Sequence, residues 1–228
     1  FKNGKWTYDA IMGKIKLLEE VGYPISGVSL TITNKNYKLI SKDFVKWCKS
    51  MNFQFLAFDV DLLGTLSIEW EDISSIAEKL VSLYKECEEL WMEPFWTWTW
   101  PYNHITEQSV SDWDVPFFCS AFWGKNMAVS PSWSVRLCSY ASAQVGKITD
   151  IDFWKWSTFW EAVRARLPGK ETMCKWCDVE WFCSGQCHAT REWTLEIGNA
   201  IEFEQMCDFY RTVTRLLLER NLEKNLQK

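Results

Sequence analysis

The sequence predicts an α/β chain in two parts, helix–strand units that form a parallel sheet and then a cysteine-rich module. Three observations predict this. Residues 1 to about 105 alternate helical and strand patterning with connections of a few residues, as in a parallel sheet with crossover helices. Beyond that point the alternation stops, and seven of the nine cysteines lie there. Apolar residues make up 47% and charged residues 24% of the 228, the balance of a globular protein.

The first helix is expected from Thr7 to Val21, with Ile11, Ile15 and Leu18 on one face and Gly22 just past its end. A strand follows, in which Val28, Leu30 and Ile32 alternate with Ser29, Thr31 and Thr33. The second helix, Ser41 to Met51, sets Phe44, Trp47, Cys48 and Met51 on its apolar side, and Asn52 stands where a left-handed cap is wanted. Phe53 to Val60 is apolar almost throughout, as a strand buried on both faces should be. The third helix, Asp72 to Leu90, lines up Ile73, Ile76, Leu80, Leu83 and Cys87, and its acidic run Glu86, Glu88, Glu89 reads as a solvated face. A third strand is expected over Glu93 to Trp100, and a last helix over Phe203 to Leu222.

Two counts are unusual: Trp occurs 16 times and Gly only 10 times. Trp91 stands in the slot after a helix where the first unit has Gly22 and the second has Asn52. A bulky residue is disfavoured there, because its Cβ clashes at positive φ. The run Trp96-Thr97-Trp98-Thr99-Trp100 is similarly odd at a strand's end. We therefore expect that several tryptophans occupy glycine positions, as when a UGA codon read as glycine is translated as Trp.

The net charge of -5 argues against a nucleic-acid or anionic-membrane partner, which calls for clustered Lys and Arg. No apolar run reaches the roughly 18–20 residues of a membrane span, and no signal peptide is visible. From the opening at Phe1, polar from the second residue, we expect a fragment. Without an oxidising compartment, clustered cysteines are metal ligands more often than disulfides.

Cys174, Cys177, Cys183 and Cys187 form C-x2-C-x5-C-x3-C, with Cys207 after 19 further residues and Cys119 and Cys138 upstream. Cubane iron–sulfur clusters are held by thiolates from three or four chain positions, and seven cysteines make a set of four plus a set of three. A structural zinc is the main rival, although zinc sites favour two C-x2-C pairs more widely separated. Disulfides would leave one cysteine over. Cys48 and Cys87, on apolar helix faces, read as packing residues.

This pattern resembles the SPASM domain of radical S-adenosylmethionine (SAM) peptide-modifying enzymes over residues 115 to 210. In the family a glycine stands where this chain has Trp133, between Cys119 and Cys138. Residues 1 to 105 resemble, more weakly, the second half of a radical SAM barrel. The resemblance implies half of a radical SAM (β/α)6 partial barrel over residues 1–108, then a small α+β SPASM domain with its C-terminal helix over 109–228. It assigns Cys174, Cys177, Cys183 and Cys207 to one auxiliary [4Fe-4S] cluster, and Cys119, Cys138 and Cys187 to another. No cysteine follows Cys119 where some family members have a fourth ligand, so that cluster is expected to be open or closed by another group.

The implied activity is reductive cleavage of SAM at a third [4Fe-4S] cluster, then hydrogen abstraction from a peptide or protein. That cluster needs C-x3-C-x2-C, which this sequence does not contain, so the chain alone is expected to be inactive. An electron donor such as a flavodoxin or ferredoxin and a cytoplasmic setting are expected. The alternatives are a non-catalytic cluster module that recruits a peptide or passes electrons, and a zinc-stabilised interaction domain. Ligands meet parallel sheets at the carboxyl ends of the strands; there the family resemblance implies Thr33 and Asn34 as candidates for SAM contact, and Asp59 and Asp61 as candidates for SAM or substrate contact. His104 and His188 are the only histidines; His188 adjoins Cys187. No catalytic side chain is identified.

Overall fold

The computed structural model describes residues 7–60, 72–94, 97–106, 128–136, 144–149, 174, 177–179, 183 and 200–226. The chain is mixed α/β and divides into two compact units, Phe1–Asp61 with Lys79–Thr97, and Leu62–Glu78 with Trp98–Lys228.

The first unit is built on a parallel sheet. Helix α1 (Thr7–Glu20) leads to β1 (Gly27–Ile32), α2 (Lys42–Ser50) to β2 (Phe55–Val60), and α3 (Ile73–Glu89) to β3 (Glu93–Pro94). Strand order is β1-β2-β3, with Thr31 beside Asp59 and Leu56 beside Pro94. Gly27 is required where β1 begins, because a Cβ there would run into the ring and carbonyl of Phe55. Ile32, Leu56 and Phe58 are fully buried. On the opposite face Ser29, Thr31 and Asp59 are exposed. Side chains of β1 alternate between an apolar and a polar face, whereas β2 buries Leu56, Ala57 and Phe58 in succession, so that the second face is apolar in part.

Helix α3 buries Ile73, Ile76, Leu80, Leu83 and Cys87, the face the periodicity predicts. Truncating Leu80 or Leu83 to Ala would cost about 2–5 kcal/mol. From α2, Phe44 meets Phe58 at 6.3 Å between ring centroids, and Trp47 meets Phe53 edge-on at 6.2 Å.

Three expectations are corrected. The strand expected over Glu93–Trp100 pairs only through Glu93–Pro94; Thr97–Thr99 form a 3-10 turn and α4 (Trp100–Thr106) follows. Pro94 has no N–H to extend the ladder. Trp98 and Thr99, in the 3-10 turn, are both buried. Pro101 sits in the first turn of α4, where its missing donor costs nothing. Next, Glu86 is not solvated: it is 7% exposed and lies 3.4 Å from Lys42 and 3.7 Å from Lys46, because it faces α2. Glu89 does face solvent, beside Lys85. Finally, of the predicted α1 face only Ile15 is buried, while Ile11 and Leu18 are exposed.

In the second unit β4 (Ala128–Val129), β5 (Ser134–Arg136) and β6 (Gln144–Lys147) form an antiparallel sheet in that order, irregular at Val135/Arg136. The last helix, α5 (Ala200–Leu226), is 27 residues long, about 40 Å at 1.5 Å per residue. It buries Met206, Phe209, Tyr210, Val213 and Leu217, a stripe at helical spacing, and α4 packs against it. No described helix is long and apolar enough to cross a membrane.

Candidate functional site

The carboxyl end of β1 runs into a loop organised by one side chain. Asn36 accepts a hydrogen bond from the Thr33 N–H through Oδ1 at 2.8 Å, and its Nδ2 donates to the Thr31 carbonyl at 2.9 Å. The backbone N–H groups of Asn36 and Tyr37 both donate to the Thr33 carbonyl, at 3.1 and 3.0 Å. From α3, Lys79 Nζ donates to the carbonyls of Tyr37 (2.7 Å) and Lys38 (3.0 Å). Thr33 and Asn34 are therefore held at the strand end by a closed set of local bonds. Beside these bonds, the buried Oδ1 of Asn34 has no hydrogen-bond partner among the described residues. A buried acceptor left unpaired costs about 1–3 kcal/mol and calls for an explanation.

On β2, Asp59 lies across from Thr31 and accepts from Ser29 Oγ at 3.3 Å. Thr33, Asn34 and Asp59 thus lie toward one end of the sheet. Asn34 has a spare acceptor and Asp59 is an exposed carboxylate, so both can accept hydrogen bonds from a ligand's amine or hydroxyl groups. Asp61 lies outside the described residues.

In the second unit, Cys174 and Cys177 bracket a tight turn in which the Cys177 N–H donates to the Cys174 carbonyl at 2.9 Å. Cys183 is buried, and its N–H donates to the Val179 carbonyl at 2.8 Å. Cys207 projects from the first turns of α5. Burial pushes its thiol up to about 12; Cys174 and Cys177 raise it as well, and Arg211, one turn further along α5, pulls the other way. Arg211 is bound to Asp208.

Three thiols from positions 174, 177 and 207 therefore lie within electrostatic reach of one another. All six described cysteines are thiols outside any disulfide. Among the described residues no three His, Cys, Asp or Glu side chains converge closely enough to hold a metal ion. In donor type these thiols suit an iron–sulfur cluster, but the structure does not bring three of them to ligating distance.

Cys119, Cys138, Cys187 and His188 lie outside the described residues, as does the side chain of His104. Cys48 and Cys87 are fully buried, as packing residues should be. Burial is the first cause that lifts them, to about 11 and about 12. Asn36, Lys79 and Arg211 were not foreseen. The Asn in Thr33-Asn34-Lys35-Asn36 is a legible turn signal, whereas nothing local marks Lys79 or Arg211.

Solved structures share this architecture. Native anSMEcpe with bound AdoMet is similar at a TM-score of 0.65 and 16% identity, over 95% of this chain and 61% of that one. Native anSMEcpe with bound AdoMet and Cp18Cys peptide is similar at 0.63 and 16% identity, over 96% and 63%. The chain spans about three-fifths of the length of these proteins. No protein-family model matches the chain, and no curated protein does so in sequence.

Proposed function

We propose that this chain is the cluster-binding part of a radical SAM enzyme that modifies a peptide or protein substrate. What supports this is the spacing C-x2-C-x5-C-x3-C of Cys174, Cys177, Cys183 and Cys187, with Cys207 beyond it. The fold shared with anSMEcpe supports it, as do the AdoMet and the peptide those structures contain.

Cys174, Cys177, Cys183 and Cys207 would hold one [4Fe-4S] cluster, and Cys119, Cys138 and Cys187 another. Thr33, Asn34 and Asp59 would contact SAM from the sheet edge. When bound, SAM and its reduced cluster supply radical hydrogen abstraction. Asn36 and Lys79 hold the loop that presents Asn34, and Asp59 offers a carboxylate to a ligand amine or hydroxyl. The 228 residues contain no C-x3-C-x2-C run, so we assign the catalytic cluster to chain beyond them. A flavodoxin or ferredoxin would supply electrons, in a cytoplasmic setting.

The test is SAM cleavage by the complete gene product, purified without oxygen and reduced. Release of 5′-deoxyadenosine, lost when the upstream C-x3-C-x2-C is changed, is the expected outcome. An upstream frame without that run, together with no release, contradicts the assignment.

A further inference from the structure

The structure assigns glycine, not tryptophan, to positions 91 and 133 of the protein as its own organism makes it. The inference is independent of the proposed function. It rests on two unrelated backbone motifs.

The first motif recurs three times in one unit. After α1, the N–H of Gly22 donates to Glu19 O at 3.0 Å and that of Tyr23 to Leu18 O at 2.8 Å. After α2, Asn52 donates to Lys49 O at 3.0 Å and Phe53 to Cys48 O at 3.2 Å. After α3, Trp91 donates to Glu88 O at 3.1 Å and Met92 to Cys87 O at 2.9 Å. Each pair satisfies the last carbonyls of its helix by the same Schellman closure, which needs a left-handed residue in the slot. The φ values there are 83° for Gly22, 59° for Asn52 and 54° for Trp91. Glycine and asparagine are the residues that take this conformation readily.

The second motif is the turn between β4 and β5. Trp133 N–H donates to Ser130 O at 2.9 Å, and Ser130 N–H to Ser134 O at 2.9 Å. Pro131 and Ser132 occupy the turn's corners, and Trp133 follows at φ 62°. This is the three-residue hairpin loop closed by a G1 bulge, whose last position is a left-handed glycine.

Neither indole offsets its backbone cost by burial: Trp91 is 90% exposed and Trp133 63%. Trp47 is the contrast. It lies inside α2, where glycine would weaken the helix, and its ring lies among Tyr8, Phe44 and Phe53. Asn52, Trp91 and Trp133 are the non-glycine residues at positive φ among those described, and two of the three are Trp. A UGA codon decoded as glycine accounts for both positions, and for the joint excess of Trp and shortage of Gly.

Peptide mass spectrometry on protein from the source organism tests this. Peptides across positions 91 and 133 are expected to carry the mass of glycine, with UGA in the gene, and the peptide across 47 that of tryptophan, with UGG. Tryptophan at 91 or 133 in the native protein overturns the inference. A second measurement uses recombinant protein: W91G and W133G should each raise the thermal midpoint of the Trp-containing chain. A lowered midpoint overturns the conformational ground for the assignment.

Discussion

Lys79 Nζ, on α3, donates to the Tyr37 carbonyl at 2.7 Å, across 42 residues of sequence. With its second bond to Lys38 O it pins the loop that follows β1. Replacing Lys79 with Met leaves two carbonyls without this donor and should cost about 1–2 kcal/mol. Urea unfolding should show a lower midpoint for Lys79→Met and a smaller loss for Lys79→Arg. An unchanged midpoint for Lys79→Met means that the loop is held by other bonds.

Asn36 both accepts and donates within the same loop. Asn36→Ala abandons the Thr33 N–H and the Thr31 carbonyl and should destabilise by about 1 kcal/mol. Asn36→Asp keeps the acceptor and loses the donor, so its thermal midpoint should fall between those of wild type and Asn36→Ala.

Asn34 is expected to behave in the opposite way. Its buried Oδ1 has no partner among the described residues, so Asn34→Ala removes an unsatisfied acceptor and should leave thermal stability equal or improved. In the complete protein it should weaken SAM binding by about tenfold, the equivalent of 1.4 kcal/mol. Calorimetric titration with SAM measures this; a stable variant with unchanged affinity removes Asn34 from the site.

Cys48 and Cys87 set a pH dependence whose sign follows from burial. Their folded values, about 11 and about 12, lie above the ordinary 9.0, so the neutral thiols are what the fold favours. Their contribution is full below pH 9 and falls as pH rises toward 11 to 12, because the unfolded chain ionises first. The slope is at most about 1.4 kcal/mol per pH unit for each thiol. Urea unfolding at pH 8 and pH 10.5 should show a smaller pH loss in Cys48→Ala/Cys87→Ala than in wild type. Equal losses mean that other groups govern the alkaline limb.

Much of the first unit is legible in the sequence because each element has an unambiguous period. Ile73, Ile76, Leu80, Leu83 and Cys87 mark α3, and Gly22 and Asn52 mark two helix ends. The Trp–Thr alternation from 96 to 100 mimics a strand, and only the neighbouring Pro94 and Pro101 speak against it. Glu86 reads as a solvated residue because its two lysine partners lie on another helix, which no local pattern reveals. Among the cysteines, spacing marks the candidates, but the electrostatic effect of Cys174 and Cys177 on Cys207 is tertiary. Arg211 becomes significant only once α5 brings it beside them.

The most direct test of the cluster assignment is iron and sulfide analysis, with the absorption spectrum, of this chain reconstituted without oxygen. We predict brown protein with about eight iron and eight sulfide per chain, falling to about four of each in Cys174→Ala/Cys207→Ala. Colourless protein that retains one zinc and no iron would contradict it.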